Sequence, residues 1–167
     1  MASFSVTNNA YLRQVYSPNR ALSVSANRAN ETTKTLIAAD SSALSKAVKA
    51  MNSLDFSDDS TTGKDKFFKT LKSFTDAYNY TVSSSGSTKS SKMAKLSKGL
   101  KEFTSKYESE LKSLGISIKN GYLSVSSNAH STVSPKNYEE MFGKDSKFMK
   151  ELTSYAKRIN KNIDVAL

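Results

Sequence analysis

Between Met93 and Val125 the chain changes period. Apolar residues fall at Met93, Leu96, Leu100, Phe103, Tyr107, Leu111 and Leu114, in steps of three and four that place one stripe along a helix. Gly115 follows, a residue that tolerates the left-handed conformation closing a helix C-terminus. The pattern then alternates through Ile116-Ser117-Ile118-Lys119, turns at Asn120-Gly121 and alternates back through Tyr122-Leu123-Ser124-Val125. Asn-Gly is the preferred two-residue hairpin turn, and a turn of that length sets Ile118 opposite Leu123 and Ile116 opposite Val125. All four aliphatics then share one face, so turn chemistry and hydrophobic pattern demand the same register. A two-stranded hairpin is marginal alone in water, so this face must pack on the helices.

Upstream, Asp40-Ser41 supplies N-cap residues for a helix carrying Leu44, Ala47, Val48, Met51 and Leu54, with Thr32 to Ala39 as a backward extension that the threonines oppose. Asp55 to Gly63 reads as a polar loop. A second helix is predicted from about Lys64 to Val82, with Phe67, Leu71, Phe74, Tyr78 and Val82 on one side. Ser83 to Ser91 has the composition of a linker, which lets the second and third helices fold back antiparallel. Beyond the hairpin, Ser126 to Thr132 reads as a polar loop. Ser134-Pro135 opens a short helix bearing Tyr138, Met141 and Phe142 that Gly143 ends. A last helix starts near Asp145-Ser146 and carries Phe148, Met149, Leu152, Tyr155, Ala156, Ile159 and Ile163. The expected fold is mainly α: an antiparallel helical bundle with one small β-hairpin, about residues 116–125, between the third long helix and the C-terminal helices. Residues 27–167 form its single domain, behind a flexible polar N-terminal segment over residues 1–26.

The order of these pieces resembles the C-terminal region of the flagellar filament-capping (hook-associated) proteins. The residues that carry the likeness are Phe74-Thr75-Asp76-Ala77-Tyr78-Asn79, Leu114-Gly115-Ile116-Ser117-Ile118, Gly121-Tyr122-Leu123-Ser124-Val125, and Met141-Phe142-Gly143 followed by Phe148 to Ile159. The match spans roughly Phe67 to Asn160. Cap proteins carry a large β-rich head between their terminal helical regions, and no stretch here is long enough to supply one, so the resemblance implies a short stand-alone relative. It also implies a non-enzymatic structural or assembly protein, with flagellar subunits or further copies of the chain as partners. Export would use a non-cleaved N-terminal signal to an extracellular or flagellum-associated location, the alternative being cytoplasmic. Terminal helices serve assembly in such proteins, which makes Phe148, Leu152, Tyr155, Ile159 and Ile163 the expected partner-binding residues.

Chemistry is sparse in the sequence. The absence of Cys excludes disulfides and thiolate metal sites. The sole histidine, His130, has no Cys or carboxylate at ligand spacing and reads as an exposed loop residue. Glu139-Glu140 and Asp58-Asp59 are adjacent acids that point apart and read as solvated charge, and Ser84-Ser85-Gly86-Ser87 lacks the strand, lysine and second glycine of a phosphate-binding loop. Neither catalytic residues, metal nor cofactor are expected. No run approaches the ~20 apolar residues needed to span a bilayer. The formal charge of +10 opens a different class, a basic helical protein that binds nucleic acid or an anionic surface. Against nucleic acid, Lys far outnumbers Arg, the aromatics lie on the apolar stripes, and Lys95, Lys98, Lys101 and Lys106 are interrupted by Glu102 and Glu108.

Overall fold

In the computed structural model of the chain, residue 28 and residues 30–163 are described, except for the side chains of residues 130 and 131. The expected flexible segment over residues 1–26 lies outside the described residues. Four long helices, α1 (Thr33–Asn52), α2 (Thr61–Gly86), α3 (Ser91–Ser105) and α7 (Lys147–Lys161), form the bundle. Between α3 and α7 come α4 (Glu108–Ser113), β1 (Ile116–Lys119), β2 (Tyr122–Val125), α5 (Ala129–Thr132), a 3-10 turn (Pro135–Tyr138) and α6 (Glu139–Phe142). The fold is therefore mainly α with a single two-stranded antiparallel hairpin among the described residues.

Each long helix starts on a hydroxyl cap. Thr32, Ser60, Ser90 and Ser146 accept from the amides of Thr35, Gly63, Met93 and Met149, satisfying donors that the first turn leaves without a helical partner. The apolar stripes then bury one another. Phe67, Leu71, Phe74, Tyr78, Met93, Leu100, Phe148, Leu152 and Ile159 are all at most 1% exposed. At one end of the bundle the aromatics connect five elements: Phe67 lies 4.7 Å from Tyr138, Phe74 5.6 Å from Phe142, Phe142 5.7 Å from Phe148, and Phe148 stacks on Phe103 at 5.6 Å.

The hairpin has the expected register, Ile116 to Val125 and Ile118 to Leu123, and it turns with φ of 55° at Asn120 and 79° at Gly121. Positive φ at both central residues defines the type I′ turn whose twist matches the strands. Gly115 has φ of 74°, the left-handed helix stop read from its position.

Four local expectations are corrected. Asp40-Ser41 caps nothing, because α1 begins at Thr33; Asp40 is buried within the helix, where both of its oxygens accept from the Arg28 guanidinium at 2.9 Å. Ser83 to Ser91 is no free linker. Helix α2 continues to Gly86 because Ser84 and Ser85 donate their hydroxyls to the carbonyls of Tyr80 and Thr81, and the turn proper is confined to residues 87–90. The stripe from Met93 to Leu114 spans two helices. The buried Thr104 hydroxyl bonds back to the Leu100 carbonyl, and the amides of Lys106 and Tyr107 close tighter bonds to residues three back, which ends α3 and starts α4. The polar stretch from Ser126 contains the short helix α5, anchored by buried Ala129, so the backbone at His130 is helical.

Replacing Asn120-Gly121 by Val-Val forces two β-branched residues into left-handed φ, and the Gly121 Cβ would lie 2.6 Å from the Lys101 side chain. The double variant is expected to lose about 2–4 kcal/mol, lowering the thermal midpoint by roughly 5–15 °C by circular dichroism. An unchanged midpoint would mean that the hairpin contributes nothing to the bundle.

Candidate functional site

The hairpin lies along α2, and hydrogen bonds from that helix hold it there. Lys119 and Tyr122 flank the two-residue turn as a bonded pair, so Ile118 and Leu123 form the following non-bonded pair. The amide and carbonyl of Leu123 consequently point away from β1, into a position that a third strand would occupy. Asn79 of α2 occupies it instead: its side-chain amide donates to the Leu123 carbonyl at 2.8 Å and its carbonyl accepts from the Leu123 amide at 2.8 Å. Beside it, the Tyr78 hydroxyl donates to the Gly121 carbonyl at 3.2 Å. Consecutive residues of one helix thus hold both the turn and the outer strand.

The entry to the hairpin is fixed in the same manner. Tyr138, fully buried, donates its hydroxyl to the Leu114 carbonyl at 2.6 Å, satisfying a carbonyl at the end of α4 that has no helical partner. Burial pushes the Tyr138 phenol up to about 12. Burial likewise pushes Tyr78 up to about 12, against the hydrogen bond of Thr104 and with a small contribution from Tyr122. The only large apolar side chain exposed among the described residues is Tyr122, at 38%, and Lys101 lies over its ring at 5.0 Å. Lys101 therefore packs on the turn, while Lys95, Lys98 and Lys106 are exposed and Lys98 meets Glu102 at 3.7 Å.

Half-open grooves lie at two places on the surface. One, of about 450 Å³, lies between α4, α6 and the start of α7, with Tyr107, Glu110, Leu114, Glu140, Lys147 and Phe148 on its walls. The other, of about 380 Å³, runs along β2 past Phe68, Lys72, Asp76 and Val125. Of the five expected contact residues on α7, Phe148, Leu152 and Ile159 are at most 1% exposed, and Tyr155 and Ile163 are half-buried against the same core. Their apolar surface is already covered by α1 and α3, so in this arrangement only the groove edge at Phe148 and the flanks of Tyr155 and Ile163 face outward.

The acids have turn-building roles. Asp55 accepts from the hydroxyl and amide of Ser57, which hold its carboxyl below the usual range; Asp58 accepts from the amide and hydroxyl of Ser60. Asp59 accepts from Ser134 at 2.8 Å and lies 3.6 Å from Lys64, tying the α1–α2 loop to the start of the 3-10 turn. Glu139 and Glu140 are exposed. Among the described residues no group of three or more His, Asp or Glu is placed to hold a metal ion. Sequence reasoning missed the Asn79 clasp, although Asn79 closed one of the segments that carry the likeness. A polar amide immediately after a buried helical Tyr was the available signal.

Replacing Asn79 with Ala leaves the Leu123 amide and carbonyl without their partner, at a cost of about 1–3 kcal/mol, and hydrogen exchange should show faster exchange at the Leu123 amide than at the bonded amides of β1. Alkaline titration tests the two phenols. Each binds its proton more tightly folded than unfolded, so the stability it confers is whole below pH 10 and is withdrawn as pH rises from 10 towards 12. Thermal midpoints should hold up to pH 10 and then fall, with tyrosinate absorbance from these two residues appearing only with unfolding. Comparison with family models, with characterised proteins and with solved structures finds no match to the chain.

Proposed function

We propose that the chain is a non-enzymatic structural or assembly protein related to the C-terminal region of the flagellar filament-capping proteins, acting through protein-protein contacts. One observation carries this reading: the segments whose order resembles that family are joined to one another, Tyr78-Asn79 to Gly121 and Leu123 by hydrogen bonds, Ile116 to Ile118 with Leu123 to Val125 by strand pairing, and Phe74 to Phe142 and Phe142 to Phe148 by ring contacts. The likeness thus falls on a unit with its own physical reason to stay together. Flagellar subunits or further copies of the chain are the partners the reading names. The end of the bundle that carries α4 and α6, with the groove beside Phe148, offers the contact surface, because the apolar face of α7 is committed to the bundle. Among the described residues no helix is long and apolar enough to cross a membrane, and the proposed route out of the cell is flagellar export of an uncleaved chain.

The test has two arms. Purified protein should bind purified filament or hook-associated subunits in titration calorimetry, with binding weakened by substitutions at the groove rim such as Glu140→Lys and Lys147→Glu, both at exposed positions. In cells, the chain should reach the medium when the flagellar export apparatus is intact and stay inside when it is deleted. Retention in both strains together with no binding to any flagellar subunit would reject the proposal.

A further inference from the structure

Antiparallel packing sorts the ends of the long helices into two poles. The Thr81 hydroxyl near the end of α2 reaches the Asp40 carbonyl in the first half of α1, and Ser97 near the start of α3 reaches the Val82 carbonyl near the end of α2. Phe103 of α3 stacks on Phe148 of α7, while Gly99 lies against Tyr155 one turn further along, so α3 and α7 also run in opposite directions. The start of α1, the α2–α3 turn and the end of α7 therefore lie together, opposite the α1–α2 loop and the start of α7, while the hairpin runs along α2 between the two poles. At this pole Lys89, Lys92, Lys95, Lys157, Arg158 and Lys161 are all exposed. Among the described residues the carboxylates nearby are Glu31 and Asp40, and Asp40 is buried against Arg28. The next acids along α3 and α7 are Glu102 and Glu151, well towards the other pole. At the other pole, by contrast, the acids of the α1–α2 loop, α4 and α6 interleave with lysines.

Helix chemistry accounts for part of this cluster and no more. Arg158 and Lys161 sit in the last turn of α7, where cations suit the negative end of the helix dipole. Lys92 does the opposite. It occupies the first turn of α3, which like that of α1 holds no acid, so its charge adds to the positive end of a dipole. Lys89, Lys95 and Lys157 lie outside any terminal turn that favours them. Lys147 at the start of α7 breaks the same rule at the other pole, so what sets this pole apart is the scarcity of exposed acids among its cations.

From this placement we infer that the pole formed by the α2–α3 turn and the end of α7 is a docking surface for an anionic phospholipid bilayer. The cations come from two stretches, the α2–α3 turn with the start of α3 and the end of α7, and five of the six are lysines, which suits undirected attraction to lipid phosphates better than the paired contacts that arginine makes to a duplex. No large apolar side chain is exposed at this pole among the described residues, which denies unpaired bases a stacking platform and gives the bilayer no inserted anchor. Attachment is electrostatic, reversible and weakened by salt.

The experiment mixes the full chain with vesicles of phosphatidylcholine alone, or of phosphatidylcholine with phosphatidylglycerol, and measures co-sedimentation over a salt series, with a short DNA duplex as competitor. Binding is expected only to the anionic vesicles. Lys92→Glu, Lys95→Glu and Lys157→Glu together should weaken it on the order of a hundredfold. Lys112→Glu, Lys136→Glu and Lys144→Glu, an equal charge change at exposed positions away from this pole, should leave it within about threefold. Changing the three pole lysines to Gln instead gives an intermediate loss without new repulsion, and unchanged melting curves confirm that each variant is folded. The inference is overturned if the vesicles are bound without preference for anionic lipid or not at all, if both Glu variants lose binding equally, or if the duplex displaces the vesicles at equal phosphate concentration.

Discussion

A two-stranded sheet has no inner strand, so backbone groups on both outer edges must find partners elsewhere or stay in water. In this molecule the constraint bears hardest on Leu123, whose side chain is buried while its amide and carbonyl point outward. Asn79 resolves it with one side chain that has the donor and acceptor spacing of a peptide unit. Once α2 holds the outer strand in this way, Ile116 and Leu123 are seated on the helices and Gly121 lies under Lys101. Tyr138 fixes the other entrance through the Leu114 carbonyl, and the aromatic contacts from Phe67 to Phe103 fill the space between. The hairpin is held along the side of α2 by a few directed bonds, with apolar burial supplying the bulk of the attraction.

How much of this was legible depends on the range over which each signal acts. The hairpin was read to the residue because turn chemistry and a period of two are independent and agree, so Asn120-Gly121 and the four aliphatics leave one register. Helix stripes were equally legible, since burial imposes a period wherever the partner lies. Boundaries were less so. Asp40 looks like a cap when only its neighbours are considered; its partner Arg28 lies twelve residues earlier. Ser84 and Ser85 look like linker residues until their hydroxyls are seen to bond one turn back inside a tight contact between α2 and α3.

The site divides along the same line. An apolar stripe reports that a face is covered but says nothing about what covers it, so Phe148, Leu152, Tyr155, Ile159 and Ile163 were expected to meet a partner whereas the chain's own helices occupy most of that face. Asn79 is the reverse case: nothing in a hydrophobic pattern marks a half-buried amide, and its importance follows from the unpaired edge 44 residues away. The basic pole lay beyond linear inspection as well, because it gathers lysines from two separate stretches of chain that only antiparallel packing brings level.

The ion pair between Arg28 and Asp40 has a mechanical consequence. Asp40 lies two turns inside α1, and its backbone carbonyl accepts from Thr81, so the pair joins the chain ahead of α1 to the seam between α1 and α2. Tension applied from the N-terminal side is then borne in shear across that seam, bypassing the first turns of α1, which a pull without the pair would peel away one at a time.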